Sequence, residues 1–76
     1  MVYLLIKGWR SDKVSNPVSL VHAIRCHAGI ALGEAKELLD RFAADGLVEV
    51  GLPTVDARRE LLVELQAIGA VAEEVG

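Results

Sequence analysis

Residues 29–39 read Gly-Ile-Ala-Leu-Gly-Glu-Ala-Lys-Glu-Leu-Leu, and this stretch decides the architecture. Gly29 has no Cβ and takes easily the positive φ that turns a chain out of a helix. A second helix starts at Leu32, where Ala35, Leu38, Leu39 and Phe42 recur at the i, i+3, i+4, i+7 spacing of one buried face. Two helices therefore meet at Gly29. On the far side of the second helix, Lys36 with Asp40 and Glu37 with Arg41 are spaced for i, i+4 ion pairs, each worth about 0.3 kcal/mol.

Upstream, Asn16-Pro17 is a helix entry: Asn16 can cap an orphan N–H, and Pro17 fits the first helical position, where its missing donor costs nothing. The first helix is expected over residues 17–28, with an apolar stripe of Val18, Val21, Ile24 and Ala28 and Leu20 beside it. Residues 2–7 are short, apolar and β-prone, so they read as a strand, followed by a polar loop over residues 8–15. Downstream, Asp45-Gly46 ends the second helix, expected over residues 32–44, and residues 47–52 form a short strand around Glu49. Pro53-Thr54 stops that strand and caps a third helix over residues 55–68, which buries Ala57, Leu61, Leu65 and Ile68. Gly69 closes the helix, and residues 71–75 form a last strand whose Glu73 and Glu74 mark an edge that water reaches. Three short strands cannot bury their apolar face on one another. The helices must cover one side, giving a single α+β domain over residues 1–76: a two-layer sandwich, order β-α-α-β-α-β, with three helices on a three-stranded, mostly antiparallel sheet.

Fifty-three per cent hydrophobic residues but only one Phe, one Trp and one Tyr require a core of Leu, Val, Ile and Ala. The lone Cys26 cannot form an internal disulfide, which suits a reducing compartment. The opening apolar run is too short for a signal peptide, and no run approaches the roughly 18–20 apolar residues of a membrane span. A cytoplasmic protein without a membrane partner is expected. The net charge of −3 is uneven: residues 1–41 hold six Lys/Arg against four Asp/Glu, and residues 42–76 hold two against seven. The overall acidity argues against DNA or generic nucleic-acid binding, whereas the basic front half suits a partner with acidic groups. Solvated helix faces of mixed sign are the plainer alternative.

Candidate chemistry is sparse. His22 and Cys26 stand i, i+4 and could share a metal ion, but no second His/Cys cluster supplies further ligands, so no metal site is expected. Cys26 beside His27 suggests a nucleophile and base, yet adjacent helical residues point in different directions. Residues 29–36 lack the Gly-Lys-Ser/Thr ending of a phosphate loop and follow a helix rather than a strand. Neither a catalytic residue nor a cofactor is expected, and the chain does not read as an enzyme. Trp9, with Lys7, Arg10 and Lys13 nearby, either plugs the core or forms with Arg10 an additional contact for a partner, and the plug is favoured.

The run around Gly29 resembles the helix-turn-helix of the C-terminal domain of the bacterial large-subunit ribosomal stalk protein, with Gly29, Leu32, Glu34, Ala35 and Lys36 matching its motif. Lys7 at the close of the first strand, Arg25 four residues before Gly29, and the closing Ile-Gly-Ala-Val-Ala-Glu-Glu-Val extend the likeness over nearly the whole chain. The resemblance implies the same strand and helix order and a docking module that recruits translational GTPases through its first two helices. It implies a partner-binding face of Val18, Val21, His22, Arg25, Gly29, Ile30 and Lys36. Pro17, His22 and Gly33 stand where that family usually has lysines, and the Trp9 loop is longer. Neither the family's N-terminal dimerisation region nor its Ala-rich hinge is in this sequence: either they were cut away or the chain is a free-standing relative, and the three substitutions and the longer loop favour the second expectation.

The fold of that family is shared with the adaptor that delivers N-degron proteins to the Clp protease, and Asn16-Pro17-Val18 is similar to the adaptor's helix entry. That second resemblance implies a domain partnering a Clp ATPase and binding a peptide or degron. Of the adaptor's ammonium-binding cluster only Asp12 is kept, and Ala43 holds the place of its histidine.

Overall fold

A computed structural model describes residues 1–10 and 16–75. The elements follow in the order β1 (Val2–Trp9), α1 (Pro17–Ala28), α2 (Leu32–Asp45), β2 (Val48–Leu52), α3 (Val55–Ala67) and β3 (Ala70–Val75). β1 is the middle strand, with β2 and β3 antiparallel on either side of it. All three helices lie on one face of this sheet, the α+β sandwich that the sequence predicts. Lys13 and Asp12 fall outside the described residues.

Local chemistry sets the element ends. Asn16 Oδ1 accepts the Ser19 N–H at 3.1 Å, and Thr54 Oγ1 accepts the Ala57 N–H at 3.0 Å, so α1 and α3 each begin with a satisfied side-chain cap. Gly29 (φ 68°) and Gly46 (φ 80°) end α1 and α2 in the left-handed region. The Gly29 N–H donates to the Arg25 carbonyl, and the Gly46 N–H to that of Phe42. α2 has no side-chain cap, because its first flanking residue is Ala31.

The core lies between the sheet and the helices, built on Leu4, Ile6, Val50 and Leu52 from the strands and Leu20, Ile24, Leu61 and Leu65 from the helices. Each such aliphatic side chain contributes roughly 1.5–3 kcal/mol on full burial. The buried face of α1 is Leu20, Ala23 and Ile24 rather than a stripe through Val18. Val18 is 70% exposed, and Val21 only half-buried. Among the described residues, neither Lys36 with Asp40 nor Glu37 with Arg41 forms an ion pair.

β1 runs two residues past Lys7 because a register shift between Ile6 and Gly8 places an extra residue in the strand. Such a bulge inverts the alternation of sides. Lys7 stays outward, its Nζ 3.1 Å from Glu73 of β3, while Trp9 falls opposite the buried Ala70 and joins the core side. Its ring packs on Phe42 at a centroid distance of 6.0 Å and an angle of 54°. Trp9 is thus a half-buried plug on a strand; Gly8 and Trp9 belong to β1 rather than to the expected polar loop, whose residues 11–15 fall outside the described residues.

Two long-range ties brace α3. Arg58, with a side chain only 12% exposed, donates from Nη1 to the Val75 carbonyl at 2.9 Å, which pins the end of β3. Its Nε lies 3.0 Å from Glu74 Oε2 but out of line for donation, so that contact is electrostatic rather than a formed hydrogen bond. His27 Nε2 meets Glu64 Oε2 at 2.6 Å and joins α1 to α3.

Candidate functional site

The turn at Gly29 folds α1 and α2 side by side and leaves a groove of about 460 Å³ between them. Pro17, Val18, Val21, His22 and Arg25 line it from α1, and Leu32, Lys36 and Leu39 from α2. Positions 18, 21, 22 and 25 form one helical stripe and positions 32, 36 and 39 another, so helix geometry aims both at the shared groove. The floor and walls are aliphatic. Val18 and Leu32, 70% and 43% exposed, are apolar surface left in water, and Val21 and Leu39 are half-buried beneath them. Arg25 and Lys36 stand at the rim with His22, and among the described residues no carboxylate lines the groove. An apolar trough with an unopposed cationic rim is complementary to an amphipathic segment that carries acidic groups beside apolar ones.

Five of the residues expected on a partner-binding face, Val18, Val21, His22, Arg25 and Lys36, converge here. Gly29 shapes the turn: a Cβ built on it meets no atom within 4 Å, so conformation rather than space calls for glycine. Ile30 does not join the groove. It packs on the core and opens on the other side of α2, in a hollow shared with Glu34, Glu37, Leu38, Arg41, Val50 and Gly51. The turn carries residue 30 across the helix pair, so nearness in sequence does not place it beside Val21. Pro17, Leu32 and Leu39 are additional lining residues. Leu32 and Leu39 carry a signal in their i, i+7 spacing around Lys36, which the core reading of Leu39 obscures.

Trp9 and Arg10 do not form a joint contact. Trp9 lines a hollow of about 430 Å³ with Pro17, Leu39, Asp40, Phe42, Ala43 and Gly46. Arg10, its N–H bonded to the Gly69 carbonyl at 2.7 Å, opens on a separate hollow at β3 with Gln66, Ala70, Val71 and Ala72. His22 and Cys26 are both exposed. Among the described residues, no three His, Cys, Asp or Glu side chains gather to hold a metal ion. The imidazole next to Cys26 belongs to α3 contacts instead: Glu64 sits on His27 Nε2 at 2.6 Å and Glu60 near Nδ1 at 3.8 Å. Two carboxylates on different ring nitrogens orient an imidazole and cannot share one ion with it.

No protein family, curated protein or solved structure matches this chain. No helix among the described residues is long and apolar enough to cross a membrane.

Proposed function

We propose that this chain is a non-enzymatic docking domain whose α1–α2 groove receives an acidic amphipathic segment of a partner protein. One observation carries the reading: Val18, Val21 and Leu32 leave apolar surface in water directly beside Arg25 and Lys36, and among the described residues no acidic side chain lines the groove. Water contact with such a trough is unfavourable, its burial by a partner contributes affinity, and the two cations steer and orient the arriving chain. The resemblance to the ribosomal stalk C-terminal domain supplies the partner class, a translational GTPase. Titrating the ¹⁵N-labelled chain with an elongation-factor GTPase tests it. Amide shifts confined to Val18, Val21, Arg25, Leu32 and Lys36, and lost in Arg25→Glu, are the expected result. Unmoved groove amides at saturating factor refute it.

A Clp-adaptor-like role is the second reading, and the hollow beside Trp9 favours it. Trp9, Pro17, Leu39 and Phe42 give that hollow apolar walls able to take a bulky side chain, and Asp40 gives it one carboxylate. With Ala43 on its lining, a single carboxylate is a weak trap for an α-ammonium group. Peptides beginning with Leu or Phe bind on this reading and their N-acetylated forms do not.

A further inference from the structure

β2 is an outer strand, paired with β1 alone. Val48, Val50 and Leu52 are at most 2% exposed, main chain included, whereas Glu49 is exposed and Gly51 half-exposed. In an antiparallel ladder the main-chain groups of alternate residues point to opposite sides, so the outward N–H and C=O groups of this edge belong to Glu49 and Gly51. The chain reverses over Gly46 and Leu47, so β2 runs back along α2. Between the two lies an open hollow of about 410 Å³, with Ile30, Leu38, Val50 and Gly51 as its apolar lining and Glu34, Glu37 and Arg41 as its charges. Glu49 adds a carboxylate from the strand, and Asp45, one helical turn beyond Arg41, adds another from the end of α2. Acids therefore outnumber Arg41 along this side of the molecule. Among the described residues none of Glu34, Glu37, Arg41, Asp45 and Glu49 forms an ion pair.

We propose that this edge takes up a basic, extended segment of a partner protein, which joins the sheet as a strand beside β2. The outward main-chain groups of Glu49 and Gly51 call for an extended chain, because a helix has already satisfied its own N–H and C=O groups. The excess of carboxylates calls for Lys and Arg in that chain, and it repels a second copy of this one. Side chains of an added strand alternate between the two faces of the sheet. Those on the helix side pass over Ile30 and Leu38, which bury the aliphatic stem of a lysine or arginine while its head reaches Glu34 and Glu37. Those on the open side stand beside Glu49. Pro53, without an N–H, ends the ladder just past Leu52, so the pairing is short and charge sets much of its strength. The opposite edge lacks these properties. On β3, Glu73 is held by Lys7 at 3.1 Å and Glu74 faces Arg58 at 3.0 Å, so its acids are already matched within the chain.

Arg25 and Lys36 line the groove on the other side of α2, so this inference is independent of the docking reading, and either can fail alone. The probe is an alternating Lys-Val heptapeptide with both ends blocked, titrated at low salt into the ¹⁵N-labelled chain. Two peptides of the same length serve as controls: alternating Glu-Val, and Lys-Val with N-methyl groups on alternate residues. The Lys-Val peptide is expected to shift the Leu38, Glu49 and Gly51 amides and to slow exchange at Glu49 and Gly51, leaving Val21 and Arg25 in place. Both control peptides should bind at least about tenfold more weakly, one for want of charge complementarity and the other for want of main-chain donors. Glu37→Lys/Glu49→Lys, at two exposed positions, should weaken the Lys-Val peptide by about the same factor, with unchanged thermal unfolding as the check on the fold. Equal binding of the Lys-Val and Glu-Val peptides, no binding of Lys-Val at millimolar concentration, or Glu49 and Gly51 amides that exchange freely when it is saturating overturns the proposal. Exchange there that slows with chain concentration in the absence of peptide also overturns it, by seating a second copy on the edge.

Discussion

Replacing Leu20 with Ala and Val18 with Ser perturbs two aliphatic residues two positions apart on one helix, roughly 200° around its axis from each other. Leu20 has no exposed surface, and truncation there leaves a cavity in the core, costing about 2–5 kcal/mol. For a domain of this size each kcal/mol lowers the melting temperature by roughly 4–8 °C, so Leu20→Ala should melt about 8–40 °C below the parent. Val18 is 70% exposed, and exchanging its methyls for a hydroxyl should change stability by no more than about 0.5 kcal/mol. Thermal unfolding followed by far-ultraviolet circular dichroism reads both in one experiment. Equal losses in the two variants would mean that α1 buries Val18. The groove would then be closed, and the reasoning from exposed apolar surface to docking would fail with it.

Gly46, at the end of α2, and Gly33, inside it, should respond in opposite directions. Gly46→Ala, at φ 80°, should lower stability by about 1 kcal/mol, and Gly33→Ala, inside α2 with nothing within 4 Å of the added Cβ, should raise it by about 0.5–1 kcal/mol, both read from urea midpoints. Trp9→Ala should cost about 2 kcal/mol, less than a fully buried aromatic because Trp9 is half-buried, and in the parent its emission should shift red only with global unfolding. In a double-mutant cycle, His27→Ala and Glu64→Ala should show a coupling of about 0.5–1.5 kcal/mol, and additive losses would remove the α1–α3 tie from the account.

Element order was readable because punctuation and period agree: Asn16-Pro17, Gly29, Gly46 and Thr54 fall at element ends, and the Leu61/Leu65 spacing lies on the buried side of α3. The extent of β1 was not, since a bulge at Lys7 breaks the alternation that identifies a strand and makes Gly-Trp look like loop. On α1, apolar residues occupy more than half the circumference, so periodicity alone could not decide between Val18/Val21 and Leu20/Ala23 as the inner face. That same surplus is what makes the groove, and Val18, Val21, Arg25 and Lys36 stand out as a face through the resemblance rather than through the stripe. Ile30 was misplaced because the turn reverses its side. Arg58 and His27 act across sequence separations that no local pattern encodes.

Docking through the α1–α2 groove is tested most directly by the affinity of the Arg25→Glu/Lys36→Glu chain for an elongation-factor GTPase, measured by calorimetry beside the parent. Both side chains are exposed and unpaired with acids among the described residues, so the melting temperature should stay unchanged. The account predicts that binding by the parent weakens at least about tenfold in the variant, as two rim cations are replaced by charges that repel an acidic partner. Equal affinity of the two chains, or a parent that does not bind, would contradict it.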